Sequence, residues 1–155
     1  MTEVRVSMID LYVARPVAAG FEFLLLRRGA KGRSPGAWEV VHGHLDPGEA
    51  PVDGARRELL EETGLAPGAL YNLSRVESFY LHRSDEVAMI PAFVAVVGPD
   101  ASVTLSDEHD ASEWLLPDLA RGRMAWPRSR RALEDILILL GDGDAGPLED
   151  LLRIC

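Results

Sequence analysis

Apolar and β-branched residues crowd residues 4–14, Val4-Arg-Val-Ser-Met-Ile-Asp-Leu-Tyr-Val-Ala, and residues 21–28, Phe21-Glu-Phe-Leu-Leu-Leu-Arg-Arg, with Pro16 and Gly20 between them. The pattern predicts two strands in adjacent or hairpin pairing. A polar loop from Gly29 to Gly36 carries a Ser34-Pro35-Gly36 turn signal and leads into a short apolar piece, Trp38–Val41. From Pro51 to Thr63 the period becomes helical, with Pro51 suited to a first turn and Gly64 to the position past the end; Asp53-Gly54 is the weak spot. Residues 71–82 and 87–97 read as two further strands joined by Arg83-Ser84-Asp85-Glu86, and Val103–Leu105 and Ser112–Leu116 as short ones. A last helix begins near Pro127: Leu133, Ile136, Leu137 and Leu140 recur at i, i+3, i+4 and i+7, and Gly141 supplies the stop. Gly141 to Pro147 links this helix to an amphipathic tail, Leu148 to Ile154, read either as core packing or as the contact of a homodimer.

Strand, strand, helix, strands, helix is the order of an α/β protein, a mixed β-sheet covered by helices on its faces, in a single domain over residues 1–155. No apolar run approaches the roughly 20 residues of a membrane span. The start lacks the basic-then-apolar pattern of an export signal, so the expected location is cytoplasmic. Cys155 is the only cysteine, which excludes disulfide scaffolds and multi-cysteine zinc sites. The formal net charge of −9 argues against nonspecific binding to nucleic acid, where basic surface is required. Any phosphate chemistry in such a chain needs something to neutralise the substrate.

The segment Arg57-Glu58-Leu59-Leu60-Glu61-Glu62 lies on the predicted helix 51–63. At 3.6 residues per turn Glu58, Glu61 and Glu62 stand at i, i+3 and i+4 and project from one face. Alone, such a run reads equally as a solvated acidic face or as a site. Leu59 and Leu60 place it beside an apolar stripe, and a glycine-rich turn leads into the helix. Three hard oxygen ligands on one face suit Mg²⁺ or Mn²⁺, and a cation there would also let an acidic protein hold a phosphate chain.

The segment from Gly43 through His44-Leu-Asp-Pro-Gly-Glu49 and Arg57-Glu58-Leu59-Leu60-Glu61-Glu62-Thr63-Gly64-Leu65 resembles a Nudix box, G-x5-E-x7-R-E-U-x-E-E-x-G-U with U a bulky apolar residue, at every position. The box covers 23 of the 155 residues. Trp38 before it, and Glu108-His-Asp-Ala-Ser-Glu-Trp114 after it, are similar to what Nudix hydrolases carry in those places. The resemblance implies a Nudix-type α/β/α sandwich that hydrolyses a phosphoanhydride in a small nucleotide-like substrate with Mg²⁺ or Mn²⁺, by attack of a metal-bound water. It implies Glu58, Glu61, Glu62 and the Gly43 carbonyl as metal ligands. One of Glu61 and Glu62 would also take a proton, and Glu108 would be a further carboxylate. Arg57 would pair with Glu49 and hold the loop onto the helix.

For the substrate, Arg27 and Arg28 end a strand that by resemblance leads toward the site, and either could hold a phosphate. Trp38, Phe79, Tyr80 and Trp126 are the aromatics able to stack on a base, Trp38 foremost, although buried packing is the commoner use. His42 and His44 flank Gly43 as scaffold or substrate-edge residues. Glu108-His109, Trp114-Leu115, Trp126 and the arginine-rich helix after it are similar in order to dihydroneopterin triphosphate pyrophosphatases and nucleoside triphosphate-cleaving relatives. Gly43-His44-Leu45-Asp46-Pro47-Gly48-Glu49 instead resembles diadenosine polyphosphate hydrolases, with His42 where those carry lysine. A nucleotide-sensing module on the same fold is the reading from a different class; such modules usually lose box glutamates, and all are present here.

Overall fold

In the computed structural model, which describes residues 1–155, alternation along two strands decides the layering. The strands are β1 (Glu3–Val6), β2 (Met8–Val17), β3 (Gly20–Arg28), β4 (Trp38–Glu39), β5 (Val41–His44), β6 (Ala69–Leu81), β7 (Glu86–Val96) and β8 (His109–Leu115). The helices are α1 (Pro51–Thr63), α2 (Pro117–Arg123), α3 (Pro127–Leu140) and a final turn α4 (Glu149–Leu152), preceded by a 3₁₀ turn at Gly146–Leu148. Ile9, Leu11 and Val13 of β2, with Leu24 and Leu26 of β3, pack against Ala55 and Leu59 of α1. Tyr12 and Ala14, with Phe23 and Leu25, face the other way onto Leu133, Ile136 and Leu140 of α3. Successive side chains of a strand leave by opposite faces, so a strand buried on both sides must be apolar nearly throughout. The result is an α/β/α sandwich.

The sheet is mixed. β7 runs parallel to both β1 and β2, whereas β2 with β3, β2 with β5, β3 with β4, β3 with β8 and β6 with β7 are antiparallel. No helix is long and apolar enough to cross a membrane.

Several expected elements take a different form. The run 4–14 is split at Ser7, whose N–H bonds to the Met89 carbonyl at 3.3 Å. Val103–Leu105 is no strand: the Thr104 N–H bonds at 2.9 Å to the Thr63 carbonyl, so that backbone closes the end of α1 instead. β8 starts at His109 rather than Ser112. α2 has only seven residues, too short for a helical period to register, and Pro117 at its first turn is its sole sequence signal. Gly64 ends α1 in the left-handed region (φ 71°) and donates to the Leu60 carbonyl at 2.8 Å. Gly141 keeps a right-handed backbone (φ −56°), and the reversal comes at Gly143 (φ 104°). The tail packs within the domain: Leu152 is buried in the core, and the Ile154 N–H bonds to the Leu70 carbonyl at 2.7 Å.

Gly54, the weak spot of the α1 pattern, is there for contact. A side chain at that position would run into Leu45 and press on Glu49, so the glycine lets the preceding loop lie flat on the helix.

Candidate active site

Arg57 organises the loop-to-helix junction. Its Nε and Nη2 donate to the two carboxyl oxygens of Glu49, each at 2.8 Å, and Nη2 also donates to the His44 carbonyl at 2.9 Å. Nη1 donates to Glu58 Oε1 at 2.7 Å and to Glu61 Oε2 at 3.2 Å. The Glu49 carboxyl also accepts the Asp46 backbone N–H at 2.9 Å. The hydrogen bonds from Arg57 first, and from Asp46 second, hold Glu49 down at about 2. One guanidinium thus joins β5, the loop and α1, which a lysine could not do.

Glu58 and Glu62, one turn apart, both point inward beside Leu59, while Glu61 and Leu60 face out. The three carboxylates therefore do not share one environment. Gly43 on β5 lies against the Glu58 carboxyl, and a Cβ there would overlap it. Glu62 is 2% exposed and its Oε2 has no hydrogen-bond partner. Burial above all, then the charges of Glu58 and Glu108, pushes its carboxyl up to about 9. Glu58 is also shifted upward, by burial first, against the pull of Arg57. Crowded, desolvated carboxylates with an orphaned oxygen fit a divalent cation, which would supply the missing positive charge. Gly43 fits too, since a bare backbone leaves its carbonyl free to approach.

Glu108 comes from the far side, just ahead of β8. Its carbonyl accepts the Gly29 N–H at 2.9 Å, and its carboxyl faces Arg28 Nη1 at 3.4 Å. Arg28 is buried and also donates from Nε to the Arg33 carbonyl at 3.3 Å. The register of β3 with β8 slips between Arg27 and Arg28: Arg27 faces Ala111, yet Arg28 faces His109. That bulge turns His109 inward, where it lies with Glu62 and Glu108 so that one potential ligand atom from each falls within 4.8 Å of the others. The sequence shows His109 next to Glu108 but carries no local signal for this inward placement.

A cleft of about 370 Å³ opens among Arg28, Arg33, Gly43, Arg57, Glu58 and Glu108. It adjoins a second cavity of about 460 Å³ at the shared residues Arg33, His42 and His44. Phe79, Tyr80 and Trp126 supply the aromatic wall of that second cavity, and Arg83 and His82 sit on its rim. The lining contains no carboxylate, although the chain as a whole is acidic. Arg27 and Trp38 line neither space. Arg27 is exposed and paired with Asp110 at 2.6 Å, and the Trp38 ring lies between the guanidinium groups of Arg27 and Arg123 at 5.8 and 5.1 Å.

A buried polar network sits under this second cavity. Asp10 is wholly inaccessible and accepts from Arg128 Nε at 2.8 Å and Nη2 at 3.2 Å, with His42 Nδ1 at 2.7 Å from its Oδ1. Burial alone would raise Asp10, but the bonds from His42 and Arg128 hold it below the ordinary carboxylate range. Arg128 also stacks on Trp126 at 4.6 Å, and Trp126 Nε1 donates to Glu39 at 3.0 Å. The sequence signal for this network is Asp10 itself, a charge in the middle of an apolar strand.

Residues 3–136 match the family described as NUDIX domain. The chain is 36% identical over 113 residues to an octanoyltransferase of Myxococcus xanthus, covering 72% of this chain and 30% of that protein. It is 38% identical over 98 residues to the asymmetrical bis(5'-nucleosyl)-tetraphosphatase of Rattus norvegicus, covering 61% of this chain and 63% of that one. It therefore spans less than two thirds of the length of either relative. The solved Ap4A hydrolase of C. elegans, in a binary complex, superposes with a TM-score of 0.73 at 24% identity over 87% of this chain and 97% of that one, which shows a shared fold. With the matched region reaching from β1 into α3 and taking in the whole Gly43–Leu65 motif, the chain belongs to the NUDIX domain family.

Proposed function

We propose that the chain is a Mg²⁺- or Mn²⁺-dependent pyrophosphohydrolase that cleaves a phosphoanhydride bond in a nucleoside triphosphate-like or nucleoside diphosphate-linked small molecule. The observation that carries this reading is the orphaned Glu62 oxygen, buried near Glu58 and Glu108, two carboxylates that line a cleft together with Arg28, Arg33 and Arg57. A divalent cation held by Glu58, Glu62 and the Gly43 carbonyl would supply Lewis-acid stabilisation of phosphoryl oxygens and make a water a competent nucleophile near neutral pH.

The chain's own side chains account for the rest. Arg28 and Arg33 line the cleft, and their guanidinium groups can donate to nonbridging phosphoryl oxygens as charge develops. Arg57 holds the Glu58 carboxyl in place through a 2.7 Å bond. Glu61 is the candidate base: its Oε2 is held by Arg57, and its side chain, 57% exposed, leaves Oε1 free to take the proton of an attacking water. The aromatic cavity offers a seat for the nucleoside end, and its acid-free lining suits a polyanion. The reading is of a cytoplasmic enzyme of small nucleotides, not of nucleic acid.

A dinucleoside polyphosphate is the second reading. The rat tetraphosphatase relative supports it, as does the continuity of a phosphate-sized cleft with an aromatic cavity. The test is phosphate release with Mg²⁺ from nucleoside triphosphates, dinucleoside polyphosphates, nucleotide sugars and dihydroneopterin triphosphate, alongside Glu61→Gln and Glu62→Gln. Metal-dependent turnover lost in Glu62→Gln supports the reading, and silence across the whole panel overturns it.

A further inference from the structure

Two buried residues that lie close together on separate elements each carry a polar atom without a partner. Glu62 Oε2 on α1 and His109 Nδ1 on β8 make no hydrogen bond, on residues 2% and 6% exposed. Buried polar groups are paired almost without exception, so open polar atoms on two neighbouring residues point to something that binds near them. The exposed carboxylate of Glu108 completes the group, with one potential ligand atom from each residue within 4.8 Å of the other two. The β8 bulge makes this arrangement: a regular ladder would set Asp110 opposite Arg28 and turn His109 away, whereas the slip puts His109 opposite Arg28.

We propose that Glu62, Glu108 and His109 form a mixed oxygen and nitrogen cation site that takes a borderline divalent ion of the Co²⁺ or Zn²⁺ type through the His109 imidazole. Imidazole nitrogen suits such ions, while Mg²⁺ keeps to oxygen ligands and water. The neutral imidazole is the form that ligates. Arg28 is the nearby competitor, at 3.4 Å from Glu108; ion entry draws Glu108 from it, while the Arg33 carbonyl retains the guanidinium. The site shares Glu62 with the Glu58, Glu62 and Gly43 cradle and rests on that reading only for its use in turnover.

The experiment is a calorimetric titration of the chelator-stripped full chain with Mg²⁺, Co²⁺ and Zn²⁺, with the imidazole ¹⁵N resonances followed during the Zn²⁺ titration. In His109→Ala the affinity for Co²⁺ and Zn²⁺ falls by about tenfold or more while that for Mg²⁺ changes by less than about threefold. In the wild type the His109 nitrogens shift on adding Zn²⁺. His82→Ala, on the rim of the aromatic cavity, leaves all three affinities unchanged. Equal Co²⁺ affinity in the wild type and His109→Ala, or His109 nitrogens that ignore Zn²⁺, overturns the proposal. His109→Gln and the wild-type spectrum decide the matter if the alanine variant fails to fold. Because binding is read rather than turnover, the titration tests this site even in a protein that hydrolyses nothing on the substrate panel.

Discussion

Gly43 lies directly against the carboxyl of Glu58, with no space between them for even a methyl group. The glycine therefore makes room for the Glu58 carboxyl and is not a turn residue; it sits inside β5. In Gly43→Ala the Glu58 carboxyl is displaced from its 2.7 Å bond with Arg57. Overpacking of this kind costs ~1–3 kcal/mol, so the variant folds with a lowered Tm. Its kcat/KM on the best substrate falls by about tenfold or more, because metal ligands moved off their geometry lose affinity and rate together. Calorimetry with Mn²⁺ beside steady-state kinetics checks this; wild-type Mn²⁺ affinity would show that Glu58 is no ligand.

Arg57→Lys keeps the charge and loses the fork. A single ammonium cannot serve Glu49, the His44 carbonyl and Glu58 together, so kcat/KM drops roughly 10- to 100-fold as is usual when a ligand's supporting contact is removed. The Glu49 carboxyl, held at about 2 chiefly by Arg57, rises toward the ordinary glutamate range. Carboxyl NMR over a pH series reads that change separately from activity.

Glu62 is placed at a cost to the metal-free fold. Replacing it by the near-isosteric amide removes a buried carboxylate crowded by Glu58 and Glu108. Metal-free Glu62→Gln melts as high as the wild type or higher, while turnover falls by about a hundredfold or more, the pattern of a site that trades stability for function. Melting in excess chelator and a turnover assay check the two halves; a markedly lower Tm with normal turnover would make Glu62 merely structural.

The Asp10, His42 and Arg128 network sets an acid limit. Because its folded-state pKa is depressed, Asp10 contributes stability that is fully present above the ordinary aspartate range and is lost as pH falls below about 4. Asp10→Asn leaves Arg128 buried without its counter-charge and costs about 3–5 kcal/mol at neutral pH. It also flattens the acid side of the stability curve. Urea unfolding from pH 3 to pH 7 tests both.

Phe79→Ala opens the aromatic cavity without touching the acidic cleft. Phe79 meets Trp126 edge-on, with ring centroids 5.6 Å apart at 77°, and is itself part exposed. Loss of one aromatic contact to a base is worth ~1–3 kcal/mol, so KM for nucleotide substrates rises by about tenfold while kcat stays within about threefold. Inorganic tripolyphosphate, which has no base, is hydrolysed unchanged.

The layers and the chemistry of α1 are legible in the sequence for the same reason: both are local periodicities. Strands buried on two faces show as apolar runs, and Arg57 through Glu62 shows as a charge pattern at helical spacing. The pairing of Arg57 with Glu49 follows from the resemblance and is present in the fold. What escapes depends on register and distance. The inward turn of His109 follows from a one-residue slip between β3 and β8, and no property of either strand alone encodes it. Leu60, expected beside the buried stripe, is exposed, because α1 covers the sheet with the Ala55 and Leu59 edge only. Trp38 and Arg27 sit close to the site in sequence, yet their side chains stack on each other outside it. Asp10 and Arg128 are 118 positions apart, and only the closed sandwich brings them together.

The segment between β7 and β8 is pinned at two points, by Thr104 N–H on the Thr63 carbonyl and by the Glu108 carbonyl on the Gly29 N–H. These pins divide it into parts with opposite tolerance for length change. Residues inserted between Gly98 and Thr104 bulge into solvent ahead of the first pin and leave Glu108 where it is. A single residue added between Thr104 and Glu108 must slide Glu108 or break a pin, and so alters the cleft without altering any residue that lines it. Variation in the length of this short stretch is thus a route by which the fold can re-aim one carboxylate while the Gly43–Leu65 motif stays untouched.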